Sequence, residues 1–498
     1  MSLRVLSLTI LVALAAASVA RAQGPRAMVE GGQVEGVVDG PAAVFKGIPY
    51  AAAPVGPLRW APPQPAKPWS GLRDATRFGA ICPQPAGAKR LDVTQASEDC
   101  LTLDVWAPAV KPARPLPVML WLHGGGYETG SGSDPLYDGK AFARDGVVLV
   151  TINYRLGVLG FFAHPSLTRA AKPGEPLANY GLMDQVAALA WVKRNIAAFG
   201  GDPANVTVFG ESAGGAAVVS LLAAPSAKGL FQKAIAESSG FWFGASGLPA
   251  AEAEGIKVAQ AAGADGSLAS LRAIPAEKLV GLRPNDAMTV VDGRFLPQAP
   301  QDAFRSGRAL DVPLIIGTNT GEGVLLGDSD PKETLKDVPA GKLAALYGDA
   351  PDDAARARAV FNDWGFSGPS RWVAAKEAAG APAWLYRFGY VSPRRGDPAK
   401  GAAHGSELVY VFESERMYDA VARYPDLPDI KVAKTMHGCW IAFAKTGRPD
   451  GCTPSVWTAY SPGTDELMKF DAAPVLEPAP RRAQWDYQVA RIGLDKAP

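Results

Sequence analysis

The chain has no excess of charge of either sign: Lys and Arg total 50 against 49 Asp and Glu, a net +1 over 498 residues. Acids and bases are interspersed, so nothing electrostatic argues for nucleic acid, an anionic membrane or a phosphate-rich ligand as partner. Past the first two dozen residues there is no apolar run long enough to span a bilayer, which excludes a stable membrane anchor in the rest of the chain. No internal repeat or long low-complexity tract divides the sequence. The length exceeds what one compact core usually fills, so a single large core with substantial insertions is expected. Histidine is scarce, at four residues, which leaves few imidazoles for any chemistry that needs one. Cysteine is equally scarce, and the first is Cys82, so nothing near the start can carry a lipid.

What is present begins with an address. Met1 to Ala22 has a basic start at Arg4, an apolar stretch through Ala20, and Ala20-Arg21-Ala22 as a small-residue site before Gln23. This predicts a secretory signal cleaved after Ala22 and a secreted or periplasmic product, with residues 23–498 as one catalytic domain. Four cysteines in an exported chain predict two disulfides, and sequence alone leaves three pairings open. Pairing neighbours, Cys82 with Cys100 and Cys439 with Cys452, closes two short loops, each stabilising by about 3 kcal/mol in the chain-entropy model.

The stretch Val206 to Ser220, VTVFGESAGGAAVVS, reads as a buried strand, a sharp turn and a small-residue helix. Gly210 and Gly214 flank Ser212 at minus two and plus two, so the backbone can fold tightly and push the hydroxyl outward over a helix N-terminus. Continuous apolar runs at Val118–Leu122 and Val147–Ile152 predict central parallel strands, with further strands at Lys233–Ala236, Leu314–Gly317 and Trp384–Phe388. Asp184–Phe199 has helical spacing and stops at Gly200-Gly201. The segments 240–312 and 327–382 are helix-like and weakly patterned, and are expected as insertions over the C-terminal edge of the sheet, where open α/β sheets place ligands.

A serine hydroxyl is a weak nucleophile at neutral pH, so Ser212 needs a base, an acid to orient it, and donors for an oxyanion. His123 precedes a glycine run and is expected to order that loop; His164 reads as loop or satisfied core; His437 lies on a helical stripe within Asp429–Ala444 and suits a structural role. His404, in the glycine-flanked GAAHGSE, is left as the base. The acid is expected between serine and histidine, and Glu322 in GTNTGEG follows a buried strand, with Asp292, Asp328 and Asp330 as competing loop carboxylates. Backbone amides of Gly125, Gly126 and Ala213 are the candidate oxyanion donors. The scheme requires neither a metal nor an organic cofactor, and its partner is a small-molecule substrate to be hydrolysed. The aromatics Phe241-Trp242-Phe243 and those from Trp364 to Trp372 either line a substrate pocket or fill core.

FKGIPYA, PVGPLRW, Glu98 to Val105 (EDCLTLDV), HGGGY, NYRLGVLGFF, the run from Asn179 to Gly215, TGEG and GAAHGSE together resemble the type B carboxylesterases, the cholinesterase-like family of α/β-hydrolases, from about Val34 to Trp457. The resemblance implies an α/β-hydrolase fold, a large mostly parallel sheet flanked by helices, and hydrolysis of carboxylic esters through an acyl-enzyme. It implies Ser212, Glu322 and His404 as the triad, Gly125, Gly126 and Ala213 as the oxyanion hole, and Cys82 paired with Cys100. It also puts Glu211 and Ser238 close behind the triad. One departure is that Pro83 to Asp99, the loop closed by that pair, holds no aromatic residue, whereas cholinesterases bind the choline cation there on a tryptophan face. Two other readings of the same scaffold are a binding module without catalysis and an amide or carbamate hydrolase using the same triad.

Overall fold

The structure is a computed structural model that describes residues 23–86, 91–283, 289–393, 396–414 and 427–496. The segment expected as a signal, Met1–Ala22, lies outside the described residues. Its centre is an eleven-stranded sheet. In chain order the strands are β1 (Val37–Asp39), β2 (Ala42–Pro49), β3 (Thr102–Pro108), β4 (Leu116–Leu122), β5 (Val148–Ile152), β6 (Gly201–Glu211), β7 (Lys233–Glu237), β8 (Leu314–Asn319), β9 (Ala383–Phe388), β10 (Glu466–Phe470) and β11 (Val475–Pro478). They lie in the order β11-β10-β9-β8-β7-β6-β4-β5-β3-β2-β1. Every neighbouring pair from β10 across to β5 is parallel, and the pairs at both edges are antiparallel.

All residues of β5, β7 and β8 are buried, as continuous apolar runs in a sheet covered on both faces require. Alternation along each strand divides the core in two. Val118, Leu120 and Leu122 of β4 join one cluster with Val206, Val208 and Ile316, while Met119 and Trp121 join Phe209, Ile235 and Ile315 in the other. Helix α1 (Tyr180–Asn195) tightens into the turn Ile196–Phe199 and is stopped by Gly200, which takes the left-handed conformation at φ 84°. Strand β6 then leads into α2 (Ala213–Leu222), whose ten residues are all buried.

The chain leaves the C-terminal end of β7 into four helices, Leu248–Ala261, Leu268–Ala273, Ala276–Leu279 and Pro300–Arg305. It leaves β8 into a second helical group that includes Asp353–Asn362 and Gly368–Glu377, joined by a π-turn over Asp363–Ser367. All four cysteines are paired: Cys82 with Cys100 across a separation of 18, and Cys439 with Cys452 across 13, as neighbour pairing predicts. The second bridge fastens α3 (Leu427–Thr446) to the segment after it. Among the described residues no helix is long and apolar enough to cross a membrane.

Candidate active site

Ser212 is the hinge between β6 and α2, held at φ 57° and ψ −122°, a conformation an L-residue adopts only under constraint. The constraint is the crowding around it. A Cβ on Gly214 would lie 1.9 Å from the Leu122 carbonyl oxygen, and one on Gly210 would lie 2.6 Å from the Gly214 carbonyl carbon. The Ser212 amide donates to the Glu237 carbonyl at 2.9 Å, tying the turn to β7. The side chain is half-buried at the mouth of this turn.

Beside it runs the glycine loop after β4. A Cβ on Gly124 would meet Glu211 Oε2 at 2.7 Å and Ser212 Cβ at 3.0 Å, so the loop can pass this close only as glycine. Gly125 and Gly126 take φ 106° and 65°. Their amides donate to no hydrogen bond among the described residues, and both residues are exposed. Ala213 opens α2, where the N–H has no acceptor within the helix. His123 does order the loop: its ring stacks on Tyr154 at 4.3 Å, and Nδ1 lies 2.9 Å from the Gly124 carbonyl oxygen. Burial pulls its pKa down to about 4, against the pull of that contact, so the ring is neutral.

His404 and Glu322 meet as expected. His404 Nδ1 lies 2.5 Å from Glu322 Oε2. The other oxygen of Glu322 accepts from Ser238 Oγ at 2.6 Å and from the Asn319 amide at 2.7 Å, so the fully buried carboxylate is fixed on both sides. The two loops are sewn together. The Gly321 amide donates to the Ala402 carbonyl and the Ala402 amide to Thr320 Oγ1, each at 2.8 Å, and Asn319 Nδ2 donates to the Ala403 carbonyl at 2.8 Å. His404 Nε2 lies 3.1 Å from Glu211 Oε1, out of line for a hydrogen bond, and so beside the residue that precedes Ser212. No hydrogen bond joins His404 to the Ser212 hydroxyl among the described residues. A catalytic contact of that kind often closes only when substrate is bound.

Sequence reasoning assigned no role to Glu237, Glu407, Asn319 or Asn362. Glu237 and Glu407 are wholly buried near Glu211 and Glu322; Trp440 Nε1 donates to Glu237 at 2.9 Å and Asn319 Nδ2 to Glu407. Asn362 Oδ1 accepts from the Glu322 amide at 3.0 Å. Burial, reinforced by the neighbouring carboxylates, pushes Glu407 up to about 8 and Glu237 well above the carboxylate range, so both keep their protons at neutral pH. Burial likewise raises Glu211, to about 7, against the pull of His404. For His404 burial opposes the charged ring, but Glu211 and Glu322 outweigh it and hold the pKa up, at about 10. HGSE and AIAESSG contain the two extra glutamates, but nothing local to a strand or a short helix reveals which carboxylates will face one another.

The competing residues lie elsewhere. Asp292 accepts three backbone amides, those of Arg294 and Leu296 in its own insertion and that of Leu177 ahead of α1. Asp330 caps the helix Pro331–Leu335, and Asp328 is exposed. His164 caps Pro165–Ala170, its Nδ1 accepting from the Ser166 amide at 3.1 Å. His437, on α3, places Nδ1 2.7 Å from the carbonyl oxygen of Val411 at the end of the short helix Leu408–Val411, in the structural role expected. The aromatics divide: Trp242 is buried and stacks on Trp372, whereas Phe241 is 40% exposed and touches Phe366, whose ring is 5.5 Å from that of His404.

A parallel sheet carrying a strained serine between strand and helix, with histidine and glutamate on the loops after later strands, is the α/β-hydrolase architecture. A family model described as the carboxylesterase family matches residues 23–346 and 329–488; the chain belongs to this family and is a carboxylic ester hydrolase. Among individual relatives, it is 39% identical over 485 residues to the para-nitrobenzyl esterase of Bacillus subtilis (strain 168), spanning 90% of this chain and 95% of that one. It is 38% identical over 479 residues to the fumonisin B1 esterase of Sphingopyxis macrogoltabida, spanning 89% and 85%. A solved PNB esterase structure superposes with a TM-score of 0.81 at 35% identity, over 93% of this chain and 98% of its own.

Proposed function

We propose that Ser212, His404 and Glu322 carry out this hydrolysis, with the amides of Gly125, Gly126 and Ala213 as the oxyanion hole. The observation that carries the assignment is the 2.5 Å contact of His404 with a fixed, fully buried Glu322, beside the strained turn that presents Ser212. His404 takes the proton of Ser212 as its oxygen attacks the ester carbonyl. The three amides, two of them free and exposed, hold the oxyanion, and His404 then protonates the leaving alcohol. Water repeats the sequence to release the acid, while Glu322 fixes the imidazole tautomer and stabilises its charged form. Ser238 and the Asn319 amide position Glu322.

The helical insertions form the wall over this site, and Phe241 with Phe366 supplies an aromatic face for one half of the ester. The relatives' names include a para-nitrobenzyl esterase, and small aryl esters are the substrates that such a face suits. The expected result of a panel varying acyl length and alcohol is highest kcat/KM on aryl or benzyl esters; equal rates on purely aliphatic esters of the same size would remove the role of Phe241 and Phe366. Two disulfides are compatible with an oxidising compartment. Export with cleavage after Ala22 is therefore part of this reading, and N-terminal sequencing of the secreted protein should begin at Gln23. The test of the chemistry itself is Ser212→Ala, expected to lower turnover of an aryl ester on the order of 10⁶-fold. An organophosphonate should label Ser212 in the unaltered enzyme; an unlabelled serine, or near-normal turnover by the variant, would defeat the assignment.

A further inference from the structure

Against the loop that carries Glu322 lies a cavity of about 420 Å³ that the esterase chemistry does not use. Its walls come from Thr320, Gly321 and Gly323 around Glu322, from Pro398–Gly401 ahead of His404, from the helix Asp353–Asn362, and from the C-terminal ends of β9 and β10. Five cations line it, Arg358, Arg387, Lys400, Lys469 and Arg481, against two carboxylates, Asp363 and Asp471. Both carboxylates are already paired, Asp363 with Arg481 at 3.0 Å and Asp471 with Lys469 at 2.7 Å. That leaves Arg358, Arg387 and Lys400 with no carboxylate within ion-pair distance among the described residues.

Arg387 is the telling member. It sits on β9 one residue after Tyr386, and alternation along the strand points Tyr386 into the Trp440 core and Arg387 to the opposite face. Its side chain makes no hydrogen bond among the described residues, and its Nε is closed off from solvent. Burial, helped by the neighbouring Arg481, draws the guanidinium below its ordinary range against the pull of Asp363, Glu477 and Asp471. Arg387 is half-buried, with Nε closed off and no carboxylate in ion-pair reach among the described residues, and a ligand that brings its own oxygens into the cavity would give the guanidinium the partners it lacks. The whole chain is almost neutral, so three uncompensated cations around one cavity are not a reflection of general basicity.

We propose that this cavity binds a small organic polyanion, a molecule of two or more carboxylate or phosphate groups, through Arg387, Arg358 and Lys400. Guanidinium forks match the oxygen pairs of both groups, and the volume is that of a small-metabolite site rather than of a single inorganic ion. Because the ligand would lie against both Gly321 and Gly401, it would rest on the two loops that carry Glu322 and His404. Binding itself does not depend on the catalytic assignment.

The experiment is calorimetric titration of the full chain at fixed ionic strength with citrate, with pyrophosphate, and with acetate as a singly charged control. Saturable binding of citrate or pyrophosphate is expected, with acetate at least tenfold weaker, and the better of the two identifies the group preferred. Arg387→Met should weaken the Kd at least tenfold. Arg358→Gln, on a half-buried helix position that leaves the fold intact, should weaken it severalfold, and Lys257→Gln, distant and exposed, should leave it unchanged. Absence of saturable binding by the unaltered chain at millimolar ligand, or equal weakening by Lys257→Gln and Arg358→Gln, would overturn the proposal.

Discussion

Glu211 precedes Ser212, touches the glycine loop and faces His404, so one buried carboxyl is in contact with three parts of the site. Its charge favours the imidazolium form of His404, whose pKa stands at about 10 because Glu211 and Glu322 overcome the opposing effect of burial. In the proposed mechanism His404 is the general base and must be neutral in the free enzyme, so kcat/KM should rise with pH as His404 loses its proton. In Glu211→Gln one of the charges that favour the cation is gone, the histidine pKa falls, and the acid limb of the kcat/KM profile should move to lower pH by about one unit or more. A pH–rate profile on an aryl ester checks this; a limb that stays put or moves up would show that Glu211 does not govern the proton on His404. At this scale the sequence was readable where function is compact. Ser212, Glu322 and His404 each sit in a short glycine-bounded motif whose backbone demands are local. Glu237, Glu407 and Arg387 are ordinary strand or helix residues whose meaning comes only from what the fold brings opposite them.

Among the elements, the central strands and helices follow from their apolar patterns, and the departures have physical causes. Strand β6 begins at Gly201, five residues before the β-branched run that signals it, because Gly201 pairs with Leu116 through backbone alone, and glycine, proline and asparagine hide that from composition. The register of α1 depends on a contact that neither segment announces by itself. Asp184, fully buried within α1, accepts from the Arg155 amide, Nε and a terminal guanidinium nitrogen at 3.0, 2.8 and 2.7 Å, locking α1 to the loop after β5. Asp184→Asn leaves a buried arginine without its counter-charge, and such a loss costs about 3–5 kcal/mol. Urea unfolding should show a midpoint lowered accordingly, with the strained Ser212 turn between β6 and α2 of the same α1–β6–α2 unit losing order. A change below about 1 kcal/mol, the range of exposed ion pairs, would mean that water or a neighbour replaces the missing charge.

Over the whole molecule, near-zero net charge conceals local concentrations of one kind: buried glutamates around Glu211 and Glu322, and cations around the cavity lined by Gly321 and Gly401. The buried acids make stability depend on pH in a definable window. Burial raises Asp104, Glu211 and Glu377 to about 7 and Glu407 to about 8, and His404 is held at about 10. Each therefore keeps its proton in the folded chain at pH values where the unfolded chain has released it. Stability then falls as pH rises, by about 1.4 kcal/mol per pH unit for each proton of difference. His123, lowered to about 4 by burial, acts in the opposite sense, but only below the unfolded histidine value of 6.5. Lys233, lowered by burial to about 8, opposes the trend only above that value. Between about pH 6.5 and 8 the raised groups stand unopposed by either, so the unfolding temperature should fall steadily across that window. In Glu407→Gln one proton of difference is removed and the decline should be shallower. Scanning calorimetry of both proteins at half-unit steps decides the matter, because a flat or rising curve in the unaltered chain would mean that these carboxyls are ionised in the folded state and that the cluster is held by water rather than by shared protons.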